Sequence, residues 1–214
     1  MKNINLKIRP YSVWLSYNML NKNLIEDMLP PGMKLAKIKI SEENNCDRHK
    51  LLFNFYGVDS LLMRGSRLEI MTIAKCEKNL HFVVLDCVTN TLQWNPIDRI
   101  RGPNGKIKFN YNQEKINYDI ISKNNKVLKF SAMPLNLIKM TEDFAVKSNY
   151  KCFFRESCIP VYLTFNEKEI MKPVRKLKLL NLTNDYWKEY RTDIPENVFM
   201  HEHEMKFNAN IPFF

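Results

Sequence analysis

Residues 106–130 alternate with a period of two. Ile107, Phe109 and Tyr111 are interleaved with Lys106, Lys108 and Asn110. Ile116, Tyr118 and Ile120 are interleaved with Asn117 and Asp119, and Leu128 and Phe130 with Val127 and Lys129. Short polar turns separate the runs. A chain written this way lays down an antiparallel meander with one packed face and one wet face.

Similar runs recur upstream. YSVWLSY (11–17), LLFNFYG (51–57) and RLEIMTIAKC (67–76) read as strands, and LHFVVLD (80–86) as a strand buried on both faces. Ala36, Ile38 and Ile40 alternate with Lys37 and Lys39. Further strands are expected at 159–165, 176–182 and 198–207. Two helices are predicted. The first has Leu20, Leu24 and Met28 on one side, Asn21 as its N-cap and Pro30-Pro31-Gly32 as its stop. The second starts at Pro134 and runs to about Lys147, with Leu137, Ile138 and Phe144 inward. The stretch from Thr89 to Gly105 reads as a long irregular loop, a kind of segment that often carries function. The expected class is therefore α+β: mostly antiparallel, curved sheet closing into a cone or barrel around a pocket, with two or three helices outside.

With 214 residues and only 5 glycines, the chain has no flexible spacer, and residues 1–214 are expected to form a single domain. No apolar run reaches the ~20 residues of a membrane span, and the first residues lack the apolar core of a signal peptide. Cys46, Cys76, Cys87, Cys152 and Cys158 are odd in number and form no CxxC pair. They read as reduced thiols of a cytoplasmic protein, and no local motif marks any of them as catalytic. The net charge is +10, with its densest basic stretch at Lys172, Arg175, Lys176 and Lys178. A nucleic-acid footprint needs such charges on one face with aromatics between them. A solvated surface is the expected reading, so nucleic acid is not the expected partner. The overall charge favours anionic ligands.

Among the residues that could carry chemistry, Glu69 stands out. On its strand it shares a face with Arg67, Met71 and Ile73, while Leu68, Ile70 and Ala74 occupy the other face. A carboxylate on a strand apolar on both sides needs a partner or a raised pKa. Arg67 is positioned to be that partner. The pair is either an ion pair that fixes the sheet or a pocket carboxylate for acid–base work. His201 and His203 fall on one face of a predicted strand, HEHEMKF, with no third ligand nearby, so they read as a surface pair. No GxSxG, P-loop or GxGxxG occurs, which leaves no nucleophile elbow and no nucleotide cradle. No metal or other cofactor is expected.

The order of elements is familiar. A strand and helix end in LPPGMKLA, a strand carries GSRLEIMTIAKC, and LHFVVLD leads through a long loop to RGPNGKIKF. Over residues 11–131 this resembles the acetoacetate decarboxylase superfamily, with a looser likeness in the final IPFF. In that family the helix ends in a proline-bearing segment, and a strand glutamate and a Leu-Asp strand follow. The resemblance places the strand glutamate on Glu69. In the decarboxylase proper a Pro-Lys-Lys segment follows, whose first lysine forms a Schiff base while the second depresses its pKa. The matching segment here is Pro103-Asn104-Gly105-Lys106, so both lysine positions are changed and Lys106 lies just beyond them. The family's arginine near the first helix is also unmatched, since Asn18 and Met19 occupy that region.

The resemblance implies a pocket for a small organic acid such as a keto acid, worked on by a lyase or hydrolase. Glu69 and Lys106 would be catalytic, with Arg67, Asn104 and Trp94 binding substrate. It also implies assembly into homo-oligomers. Two other readings remain open: a non-enzymatic ligand-binding or interaction protein on the same fold, and a basic nucleic-acid binder.

Overall fold

The structure, a computed structural model, describes residues 2–43, 46–59, 64–95, 99–141, 149–155, 157–165 and 172–211. Its strands are β1 (Lys2–Ile8), β2 (Ser12–Asn18), β3 (Lys34–Leu35), β4 (Lys37–Ile38), β5 (Arg48–Asp59), β6 (Arg64–Cys76), β7 (Asn79–Thr89), β8 (Gln93–Asn95) and β9 (Arg99–Arg101). They continue with β10 (Gly105–Tyr111), β11 (Ile116–Ser122), β12 (Val127–Ile138), β13 (Asn149–Phe154), β14 (Ser157–Phe165), β15 (Val174–Asn184), β16 (Asn197–His201) and β17 (Met205–Ile211). Helix is confined among the described residues to α1 (Lys22–Glu26) and a 3-10 turn, Lys188–Tyr190.

β5 organises the whole fold because it has two partners on one edge. Its residues Lys50–Phe55 pair with β2, and Val58–Asp59 pair with β1. Through β1 the sheet runs β5–β1–β17–β14–β13–β7–β6 and returns to β5, a closed barrel of 7 strands. Its pairings are antiparallel except for that of β13 with β7. Through β2 the same sheet continues β2–β16–β15–β12–β11–β10 and folds over the outside of the barrel. Closure removes the open edges of the ring.

Period-two patterning then sorts side chains into separate cores. Leu51, Phe53 and Phe55 of β5 join Leu68, Ile70, Val83, Leu85 and Val88 under the outer sheet, where they meet Tyr118, Ile120, Leu128 and Phe130. The Phe55 ring lies 5.1 Å from Tyr118 and 5.1 Å from Phe130. On the other face, Leu52, Met71, Ile73, Phe82, Val84 and Cys152 form one cluster, and Leu6, Ile8, Tyr56, Val58, Val161 and Ala209 another. Each fully buried large apolar side chain contributes about 1.5–3 kcal/mol.

The meander at 106–130 forms as read, with Ile107 opposite Ile120 and Tyr118 opposite Phe130. Other expectations need correction. The helix expected from Pro134 is strand: β12 runs to Ile138, pairs with β15 along its length, and is followed by a bridge from Met140 to Ser41. Pro134 is tolerated because the register shifts between Pro134 and Leu137, a bulge where a missing N–H costs little. Residues 142–147, the rest of that expected helix, lie outside the described residues.

The first helix shrinks to a little over one turn that buries Ile25, while Leu20 and Leu24 are exposed. Asn21 caps nothing, since its side-chain amide donates to the Glu189 carbonyl. The stretch at 89–105 is not featureless, because β8 and β9 pair within it. The expected strand at 198–207 is two strands. β16 stops at His201 and β17 starts at Met205, so His201 and His203 do not share one strand face. Of the basic stretch, Arg175 is held by Glu202 through two hydrogen bonds of 3.0 Å and Lys176 by Glu43 at 2.6 Å. Among the described residues no helix is long and apolar enough to cross a membrane.

Candidate active site

Three neighbouring strands bring polar side chains into register. Glu69 on β6 stands opposite Asn54 on β5 and Cys87 on β7. One step along, Arg67 stands opposite Tyr56 and Thr89. Directly opposed residues point to the same side of a sheet. Tyr56 belongs to a barrel-side cluster with Val58 and Leu6, which places both rows on the barrel side of the wall.

The contacts within the rows are close. The Tyr56 phenol donates to Glu69 Oε1 at 2.6 Å. Arg67 Nη1 lies 3.9 Å from the same oxygen, and the two side chains are only 12% and 15% exposed. Arg67 Nη2 also donates to the Leu92 carbonyl at 3.2 Å, which ties the start of the long segment after β7 to the site. Asn54 accepts from the Ser12 hydroxyl at 3.1 Å.

Burial sets the electrostatics. It raises the pKa of Glu69, against the smaller opposing effects of the Arg67 charge and the Tyr56 hydrogen bond. Burial, followed by the charge of Glu69, pushes the Tyr56 phenol well above its usual range. For Arg67 burial works against the cation, but the neighbouring Tyr56, Cys87 and Glu69 outweigh it and the pKa is raised. The site is thus a fixed cation beside a carboxyl that holds its proton more tightly than usual.

Glu69 and Arg67, singled out from the sequence, are brought together. Asn104 and Lys106 are placed differently. The Asn104 side chain donates to the Cys87 carbonyl at 2.8 Å and accepts from the Thr89 N–H at 2.7 Å, so it braces the end of β7. Gly105 has no room for a side chain, because a Cβ there would sit 2.4 Å from Val88 Cγ1 and 3.0 Å from the Ile121 carbonyl. Lys106 is exposed, on the side of β10 opposite the buried Ile107. Trp94 lies on β8 opposite Ile100, and its side chain is outside the described residues.

Tyr56 and Asn54 escaped the sequence reading. The run LLFNFYG signals a strand, but only its register against β6 sets Tyr56 beside Arg67 and within reach of Glu69. Other buried charges are satisfied by structure alone. Lys50 is 1% exposed and bonds Asn18 Oδ1 at 2.7 Å and the Glu196 carboxylate. Arg191 donates to the carbonyls of Asn184, Tyr186, Thr192 and Asp193 and stacks 4.4 Å over the Tyr17 ring.

The sheet closed into a barrel, with a second sheet folded over its outside, defines a fold class, and solved structures share that fold. The enduracididine biosynthesis enzyme MppR, with HEPES buffer bound, superimposes with a TM-score of 0.60 at 10% identity over 98% of this chain and 86% of its own. An acetoacetate decarboxylase-like enzyme from Sphingomonas wittichii RW1 gives 0.57 at 6% identity, covering 98% and 92%. Acetoacetate decarboxylase from Legionella pneumophila gives 0.53 at 10% identity, covering 97% and 85%. No protein-family model matches the chain, and no curated protein matches it in sequence. The chain has the acetoacetate decarboxylase-like fold.

Proposed function

We propose that the protein is a cytoplasmic enzyme acting on a small organic acid of the keto-acid type, as a lyase or hydrolase that works by proton transfer. Glu69 is the acid–base group and Arg67 the carboxylate anchor. The observation that carries this reading is the gathering of Glu69, Arg67 and Tyr56 on one buried face of β5 and β6. A carboxyl with a raised pKa exchanges protons closer to neutral pH than an ordinary one. A guanidinium presents paired N–H donors in the geometry a carboxylate accepts. The related fold of MppR has been seen with the condensation product of pyruvate and imidazole 4-carboxaldehyde, which supports a keto-acid ligand on this architecture.

Schiff-base decarboxylation is not part of the proposal. Asparagine and glycine stand at the two lysine positions, the first bonded to β7 and the second without space for a side chain. Lys106 is the remaining amine on that segment, so imine formation there is directly testable.

Pyruvate and its longer homologues in heavy water test the reading. Proton exchange at the carbon beside the carbonyl is expected, abolished by Glu69→Gln and weakened in KM by Arg67→Gln. Borohydride is expected to trap no adduct on Lys106. Binding without exchange would make this a ligand-binding protein on the same fold. Absence of binding across the acids would overturn the reading altogether.

A further inference from the structure

β7 carries one residue more than β6 at the site. Ile70 pairs with Asp86 and Met71 with Val84, so Leu85 has no partner and forms a bulge. Side chains alternate along a strand, and a single extra residue reverses the alternation beyond it. Before the bulge, Phe82 and Val84 face the barrel side and Val83 the outer core. An unbroken strand would continue with residues 86 and 88 on the barrel side. Instead Val88 joins the outer core, Asp86 accepts from the Trp187 indole at 3.3 Å, and Cys87 and Thr89 come into register with Glu69 and Arg67.

The bulge therefore turns a thiol into the polar rows. Directly opposed residues hold their Cβ atoms about 4.5–5.5 Å apart, which sets Cys87 beside Glu69. Cys87 also lies within charge range of Arg67 and Tyr56. It carries no disulfide and is half-buried, whereas Cys152 is fully enclosed and its thiol is pushed up by burial and then by Glu69. The backbone just after Cys87 is held by the Asn104 amide, through the Cys87 carbonyl and the Thr89 N–H, and the Cys87 N–H donates to Asp86 Oδ1 at 2.8 Å. A nucleophile, an acid–base group and a carboxylate anchor thus share one surface.

We propose that Cys87 is the nucleophile of this site and takes electrophilic small acids, 2-oxo acids above all. This rests on the reading that Arg67 and Glu69 hold such an acid. In the step, a bond forms from sulfur to the carbonyl carbon as the C=O π bond opens. The thiol proton passes to the Glu69 carboxylate and from there to the carbonyl oxygen. The product is a hemithioketal, with no change in oxidation state and no added reactant.

Alkylation with iodoacetate and iodoacetamide, followed cysteine by cysteine by mass spectrometry, tests this on the intact protein. Half-buried Cys76, at the end of β6, supplies the internal reference, because the Arg48 guanidinium donates to the Cys46 sulfur at 3.1 Å. At Cys87 the ratio of iodoacetate to iodoacetamide rates is expected to exceed that at Cys76 by about tenfold, the factor a charge-assisted hydrogen bond carries. Pyruvate should slow labelling of Cys87 but not of Cys76. Arg67→Gln should return the ratio to that of Cys76, and Arg67→Lys, which keeps the charge but loses the fork, should fall between. If Cys87 shows the ratio of Cys76 or does not react, while calorimetry still detects keto-acid binding, the thiol role falls and the acid site stands. If neither anionic preference nor keto-acid binding is seen, both fall.

Discussion

The phenol of Tyr56 reaches across one strand pair to donate a 2.6 Å hydrogen bond to the Glu69 carboxyl. Tyr56 is itself directly opposite Arg67, so the three side chains form a triangle rather than a line. Tyr56→Phe keeps the ring and removes the donor. It should destabilise the protein by about 1–3 kcal/mol at neutral pH, because Glu69 loses a partner where water is scarce. The loss should shrink at acid pH, where Glu69 is protonated in either protein. Urea titrations at several pH values measure both.

Glu69 also gives stability a pH signature. Its folded pKa lies above the ordinary 4.5, so the native state holds the proton more tightly than the unfolded chain. Stability contributed by the protonated form is complete below 4.5 and declines as pH rises from there through the raised folded value. Glu69→Gln imitates the protonated form and should remove this decline. Subtracting the two pH profiles isolates the effect.

His201 should act with the opposite sign. Burial, followed by the nearby His203, pulls its pKa down from 6.5 to about 3. The unfolded chain therefore binds the proton first. The contribution is present above 6.5 and is lost as pH falls from 6.5 towards 3, by on the order of 5 kcal/mol at full loss. His201→Phe should flatten the acid limb of the stability curve, followed by thermal melts between those limits.

The segment Asn104-Gly105 should resist restoration of a lysine pair. Gly105→Ala places a Cβ against Val88 and the Ile121 carbonyl and should cost about 1–3 kcal/mol by overpacking. Asn104→Ala strands the Cys87 carbonyl and the Thr89 N–H and should cost a similar amount. Shifts of a few degrees in melting temperature report each variant.

Strand identity was legible wherever alternation was clean. The meander over β10, β11 and the start of β12 follows from residues 106–130 alone, and Glu69 and Arg67 were visible as polar residues on a strand apolar on both faces. The helix expected at Pro134 failed because LNLI satisfies a helical and a strand period equally, and pairing with β15 decided the matter. Tyr56 and Cys87 were illegible for a different reason. Their place in the site depends on register, and for Cys87 on one unpaired residue, neither of which is written in local composition.

β5 works as a party wall between two rooms. Phe53 and Phe55 furnish the outer core, while Leu52 and Tyr56 belong to the barrel side of the same strand. A change of side-chain volume on either side moves a backbone that both sides share. Remodelling the outer aromatic cluster around Phe55 therefore retunes the setting of Tyr56, with no substitution in the polar rows themselves.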